Sequence, residues 1–281
     1  MPVLALLCFP GHLGQQASPK TYTFAGKQRP MINSIINHRS IRKFKPDEIP
    51  ASVLNEVLTA ATRASTTGNM QVYSIIATTD PGLKEQLWAA HFKQNMVLQA
   101  PVHLTFCADF NRFTKWCRQR NADPGYDNFL SFYTASIDVL LASQNAVLEA
   151  EAQGLGICYL GTVTYMAQQI ISILQLPELV VPVAAVVMGY PDESPGLTDR
   201  LPLQAVVHEQ VYQDYSAEDL DQLYREKESL DMTRELLRIN EKESLAQIFT
   251  DKRYPRKDNL LFSKSFLEAI RKQGFMNHPE D

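Results

Sequence analysis

A chain of 281 residues, 45% hydrophobic and 21% charged, has ordinary globular composition and length enough to bury a full core, which excludes a disordered or fibrous protein. The formal net charge of -4 leaves no cationic excess to neutralise a nucleic-acid backbone, so no nucleic acid is expected and small ligands are the default partners. Four cysteines, Cys8, Cys107, Cys117 and Cys158, form no C-x-x-C pair and are read as buried or inert thiols of a reducing, cytoplasmic compartment. No apolar run reaches the roughly twenty residues of a membrane span, and Leu179–Met188 is interrupted by Pro182, so no membrane association is expected.

In chain order, residues 1–30 come first. Val3–Phe9 is apolar like a signal-peptide core, but no basic region precedes it and no clean small-x-small site follows. Gly11, Gly14, Pro19, Gly26 and Pro30 punctuate the rest, so 1–30 is read as a leader outside the fold, and Met31 opens one domain over 31–281. Leu54, Val57, Leu58 and Ala61 fall at helical spacing and predict a helix ending near Ser65, followed by the polar turn Thr66–Asn69. Val72–Thr79 and Val102–Ala108 predict strands, with a helix over Gly82–Lys93 between them. Phe129–Gln153 is the longest helical candidate, and its broad apolar coverage suggests burial on several sides. Gly154 and Gly156 close it, Ile157–Leu160 reads as a short strand and Met166–Leu176 as a helix. Val181–Met188 reads as a strand suited to a sheet centre. A helical extension begins at about residue 213: Ser216 can cap one long charged helix through about Ile248, and a second helix spans Ser263–Gln273.

The six histidines contain no H-x-x-x-H pair, and Tyr212 stands where His208-Glu209 would need its second histidine to begin a zinc-protease motif, so metal catalysis is rejected. Glycines 154, 156 and 161 have neither the spacing nor the strand-before-helix order of a dinucleotide fingerprint; a helix end entering a strand accounts for them. Asp109 and Asn111 read as turn formers with no catalytic role. His38-Arg39-Ser40-Ile41-Arg42 places two guanidinium groups around a hydroxyl, a donor set suited to a terminal phosphate, and Arg200 is a second lone cation after the apolar strand. From the residues alone the chain is an anion-binding protein of helices and strands.

The motifs His38–Arg42, Cys107-Ala108-Asp109-Phe110-Asn111-Arg112, Gln144-Asn145-Ala146, Gly154-Leu155-Gly156 with Tyr159-Leu160-Gly161, Gly189-Tyr190-Pro191, Arg200-Leu201-Pro202 and Lys272-Gln273-Gly274-Phe275 together resemble the nitroreductase family, in its NADPH-dependent nitroreductase and flavin reductase branch. The resemblance implies an α+β fold of three layers, a central mixed sheet flanked by helices, assembled as an intertwined homodimer with two FMN sites. It implies that His38, Arg39, Ser40, Ile41 and Arg42 hold the phosphate and ribityl side of FMN, joined at the phosphate by Arg200. Gln94 matches a glutamine that contacts the flavin, and Tyr159, Leu160, Gly161 and Thr162 match the backbone stretch along its ring. The implied reaction is ping-pong hydride transfer from NADPH or NADH through FMN to a small-molecule acceptor such as a nitroaromatic, a quinone or free flavin. A flavin store or redox sensor with little turnover is the alternative, and a family member turned to another flavin reaction is a third reading.

Two positions depart from the family pattern: Thr198 replaces a common lysine beside the phosphate arginine, and Thr162 a second glycine. The loop Ser65–Gln71 is matched loosely to the flavin edge. Arg253 is the candidate for the 2′-phosphate of NADPH, because a guanidinium suits a dianion better than a ribose hydroxyl. A solvated basic loop is the equal alternative for that segment.

Overall fold

The computed structural model describes residues 31–276 and His278, so the expected leader, Cys8 and His12 lie outside the described residues. From Asn33 the elements are α1 (Asn33–Ile36), α2 (Ala51–Thr62), β1 (Tyr73–Thr78), α3 (Pro81–Ala90), α4 (Met96–Gln99), β2 (Val102–Asp109) and α5 (Asn111–Gln119). They continue through α6 (Phe129–Ala152), β3 (Gly156–Tyr159), α7 (Thr162–Tyr165), α8 (Ala167–Ile173) and β4 (Val180–Gly189). Four further helices follow: α9 (Ala217–Ser229), α10 (Asp231–Asn240), α11 (Leu245–Gln247) and α12 (Arg256–Lys272).

The four strands form one sheet in the order β1-β2-β4-β3, and every ladder is antiparallel. Among the described residues the parallel component of the expected mixed sheet is a bridge between Ser40 and Ile157. The strand Val181–Met188 does lie inside the sheet, between β2 and β3, and runs one residue further at each end. Proline in an interior strand removes a ladder donor and is tolerated at bulges. Pro182 obeys this rule, standing opposite Cys107 where the β2–β4 register shifts.

Side-chain alternation sorts the core into two layers. Leu104, Phe106 and Ala108 of β2, with Val186 and Met188 of β4, pack on α2 and α6 through Val57, Ala61, Ala142, Ala146 and Val147. Ala185 and Val187 face the opposite way, against Leu87 and Ala90 of α3, Val97 of α4 and Val163 of α7. The sheet is therefore the middle of three layers, as expected. Lys84 of α3 is buried in the second layer, where its ammonium donates to the carbonyls of Leu98 (3.1 Å) and Ala100 and fastens α3 to the end of α4.

Differences from the sequence reading lie mainly in the C-terminal helices. The expected single helix from Ser216 to Ile248 is three: Ser216 caps α9 with a full capping box, Leu230 is extended between α9 and α10, and Glu241 ends α10 in the left-handed region. A π-helical segment, Ile248–Arg253, follows α11. The last helix starts at Arg256, seven residues before Ser263, because Pro255 fixes its N-cap and the first turn is polar, which hides it from an apolar-period search. No helix among the described residues is long and apolar enough to cross a membrane.

Helix α6 is buried along one face and presents Leu130, Tyr133, Ile137, Leu140 and Leu141 to solvent along another. Its breadth of apolar coverage, read from the sequence, is thus split between the core and an open face.

One close approach couples fold to site. A side chain on Gly156 would place its Cβ 2.6 Å from Ile41 Cγ1, so only glycine lets the segment through Ile41 lie on β3. Gly156→Ala is expected to destabilise the protein by about 1–3 kcal/mol through overpacking. Combining it with Ile41→Ala should recover part of that loss in urea denaturation; strictly additive losses would show that the two side chains do not meet.

Candidate functional site

The segment 38–45 runs along the edge of the sheet. Ile41 N donates to Ile157 O at 2.8 Å, Ile41 is buried, and Phe44 bridges Pro191 beyond the end of β4. Its two ends are tied by carboxylates. His38 Nδ1 meets Glu151 Oε1 of α6 at 2.7 Å, and burial pushes the Glu151 carboxyl above its usual range. Glu193 Oε1 accepts from the backbone N–H groups of Arg42 and, at 3.2 Å, Lys43. Those amides are occupied, and the side chains this stretch offers an anion are the half-buried Arg39 and Ser40 and the exposed Arg42 and Lys43.

The loop after β4 docks on the same segment. Asp192 N donates to Lys43 O at 2.9 Å, and Arg39 Nη1 donates to Pro195 O at 3.1 Å. Arg200 lies further along this loop, exposed, and among the described residues its guanidinium donates to the nearby carbonyls of Thr198 (3.3 Å) and Asp199 (3.0 Å). Lys227 of α9 pairs with Asp199 and anchors the loop there.

Tyr159, Leu160, Gly161 and Thr162 continue directly from β3. Leu160 is buried and points into the second layer, Tyr159 Oη donates to Ser143 Oγ of α6 at 3.2 Å, and a Cβ on Gly161 would meet nothing within 4 Å. The backbone at Gly161 is therefore open to an approaching ligand. Gln94 comes to the same place from the α3–α4 connection: its Nε2 donates to His91 O at 3.0 Å and reaches Thr162 Oγ1 at 3.4 Å. Phe92 and Lys93, just before it, both hold left-handed backbone, which costs energy in residues with a Cβ and sharpens the turn that presents Gln94.

The structure thus brings together His38–Arg42 and β3, and separately Gln94 and Thr162. Arg253 stands apart on the π-helical segment, exposed, with its guanidinium 5.4 Å from the Phe249 ring centroid. The loop Ser65–Gln71 is pinned by Asp138, a buried residue of α6 whose carboxylate accepts from Thr67 N (3.0 Å), Thr67 Oγ1 (3.3 Å) and Thr66 Oγ1. Asp109, read as a turn former, accepts from Arg112 N at 3.2 Å as such a residue should, and also from the Ser74 hydroxyl.

Sequence reasoning passed over Asp138, Glu151 and Glu193. Each acts through a partner more than seventy residues away, a distance that no local spacing encodes. An acidic residue on the apolar side of a long helix was the available signal for Asp138.

A family model described as the nitroreductase family matches residues 35–190, more than half of the chain. The chain belongs to the nitroreductase family. This nitroreductase-family chain is 35% identical over 183 residues to "FMN reductase (NADPH)" of Bacillus subtilis, covering 64% of itself and 74% of that relative. It is 34% identical over 184 residues to "Oxygen-insensitive NADPH nitroreductase" of Salmonella typhimurium, covering 66% and 75%. A crystal structure from Bacteroides fragilis superposes with a TM-score of 0.85 at 51% identity over 86% of this chain and 98% of that one.

Two histidines lie buried behind Thr162. Burial pushes His91 down to about 4 and His103 down to about 3, the second helped by His91 and Lys84 nearby. Both folded values lie below the ordinary 6.5, so the unfolded chain binds more protons between those values, and stability is lost as pH falls from about 6.5 toward 4. Each tenfold loss of proton affinity is worth roughly 1.4 kcal/mol, so the pair costs several kcal/mol by pH 4. Urea midpoints at pH 7 and pH 4.5 should therefore differ more in the wild type than in His103→Leu; equal differences would show that the pair does not titrate this way.

Proposed function

We propose that this chain binds FMN and uses it as an NAD(P)H-dependent oxidoreductase acting on small electron acceptors such as nitroaromatics, quinones or free flavin. The observation that carries the reading is the pairing of Ser40 and Ile41 with Ile157. It sets a segment bearing two arginines and a hydroxyl beside the strand that delivers the open backbone of Gly161. A cationic end next to an accessible backbone stretch is what a phosphate joined to a flat ring system requires.

The residues fit FMN. Arg39, Ser40 and Arg42 would take the phosphate, with Arg200 supplying a further cation from the docked loop and His38 fixed at the corner by Glu151. The segment Tyr159–Thr162 would lie along the ring, with Gln94 at its edge. Thr198, where relatives often carry a lysine, leaves Arg200 to supply the charge of this loop, so the phosphate depends more heavily on it. When bound, FMN supplies two-electron hydride chemistry that no side chain has. The chain would bind and orient, with Leu160 and Val163, buried in the second layer, backing the stretch along the ring, and no side chain would need to move a proton for the hydride step.

Arg253 is proposed to take the 2′-phosphate of NADPH. Its guanidinium, flanked by Lys252, Arg256 and Lys257, is exposed and tied to no carboxylate in any described contact. A homodimer is proposed from the open apolar stripe of α6, since a contiguous face of Leu130, Tyr133, Ile137, Leu140 and Leu141 is of the kind a second copy buries.

Purified protein mixed with FMN should show a bound flavin spectrum that NADPH bleaches anaerobically and a quinone restores; a protein that stays colourless sinks the cofactor assignment. Arg200→Ala should weaken FMN at least about tenfold, the usual cost of losing charge-assisted bonds to a phosphate, without changing the thermal midpoint of the apoprotein. Arg253→Ala should lower kcat/KM for NADPH and leave that for NADH unchanged, and an unchanged NADPH/NADH ratio would remove Arg253 from the site.

A further inference from the structure

Behind the Gln94–Thr162 contact runs a buried polar chain that hydride transfer does not use. Thr162 Oγ1 lies 2.7 Å from His91 Nδ1, His91 Nε2 lies 3.2 Å from His103 Nε2, and His103 Nδ1 lies 3.3 Å from Thr105 Oγ1. Thr162 is nearly buried and the other three are fully enclosed. His91 ends α3, while His103 and Thr105 are alternate residues of β2 and share the face that looks onto α3, α4 and α7. A polar column through an apolar layer is costly unless each member has a partner, and here each does.

The chemistry of the groups fixes the direction of the column. Each histidine is neutral near pH 7 and so carries one ring proton. Two ring nitrogens at 3.2 Å need one proton between them. An amide nitrogen only donates, so Gln94 Nε2 takes a lone pair of Thr162 Oγ1 at 3.4 Å, and the hydroxyl proton has His91 Nδ1 as its acceptor among the described contacts. His91 Nδ1 is therefore bare, and the His91 proton sits on Nε2. His103 Nε2 then accepts from His91 Nε2–H, and the His103 proton, on Nδ1, faces Thr105 Oγ1.

The amide at the outer end is fixed by the same logic. Gln94 lies 3.0 Å from the carbonyl of His91, which forces its NH₂ inward and its Oε1 outward. With the Thr162 proton consumed inside the column, this edge of the site offers lone pairs and no hydroxyl donor.

We propose that His91 and His103 form a positioning pair that holds the Thr162 hydroxyl inward, so that Gln94 Oε1 and Thr162 Oγ1 face the site as acceptors and select a ligand edge bearing an N–H. This rests on the FMN reading for the identity of that ligand: the flat ring of a flavin has one edge N–H when oxidised and gains others when reduced. No proton is transferred in this role. The pair sets the polarity of two groups that touch the ligand and does not touch it itself.

His103→Leu removes the acceptor for His91 Nε2–H. His91 should then carry its proton on Nδ1, donate to Thr162, and turn the hydroxyl outward. His103→Gln, whose amide oxygen can take the place of Nε2, should keep His91 in its original form. Nitrogen-15 spectra of the histidine rings in the full apo chain read these forms directly, without FMN. The expected result is His91 protonated on Nε2 and His103 on Nδ1 in the wild type, a switched His91 in His103→Leu, and the original His91 in His103→Gln. FMN titrations of the same proteins should show about tenfold weaker binding for His103→Leu and recovery to within about threefold for His103→Gln. Equal weakening of oxidised and reduced FMN would assign an N–H present in both forms, and weakening of reduced FMN alone would assign one gained on reduction. Wild-type His91 protonated on Nδ1, or a switched His91 with FMN affinity within twofold of wild type, overturns the proposal. A wild type with the stated ring forms that binds no FMN overturns the cofactor reading and the ligand named here, and is told apart by the spectra.

Discussion

The cationic end of the candidate site depends on a short stretch of main chain, Ser40 and Ile41, lying against Ile157 at the edge of the sheet. That contact is possible because Gly156 carries no side chain where Ile41 must pass. Burying Ile41 removes an apolar side chain from water and at the same time commits the residues on either side of it, Ser40 and Arg42, to a fixed position. The cations are thus placed by a hydrophobic contact between them, a firmer anchor than exposed ion pairs, each worth about 1 kcal/mol or less. The loop carrying Arg200 then docks on the same stretch through Lys43 and Arg39.

The sheet layer was legible because its signals are local. β-Branched runs bounded by turns located β1, β2 and β4 to within a residue or two, and the periodicity of α2 and α6 located the helices that cover one face. Pro182 weighed against a membrane span, and the strand keeps it at a register shift. Beyond Asp214 the signal weakened: α9 to α11 are amphipathic with few buried residues, so a break at Leu230, where the backbone simply turns extended, has no composition to announce it.

At the site, side-chain type was legible and partnership was not. Two arginines around a serine suggest an anion wherever they occur, yet the carboxylates that hold them in place, Glu151 and Glu193, come from distant parts of the chain. The histidines show the same limit. Metal-ligand spacing dismisses His91 and His103 because twelve residues separate them, and the turn after α3 then brings their rings within 3.2 Å of each other. What joins them is the geometry of a helix end over a strand, which no linear motif contains.

Helix α6 meets the site three times from its inner side, through Asp138 at the loop Ser65–Gln71, Ser143 at Tyr159 and Glu151 at His38, while its outer side is the open apolar stripe. The two sides are separated by the thickness of one helix, about 10 Å. A rigid rod that is gripped on one flank and free on the other would pass a sideways displacement to all three contacts at once. Anything that settled on the outer flank would bear on the alignment of the inner one through the same stiff element, so that covering that face and squaring the walls of the site would be one mechanical event.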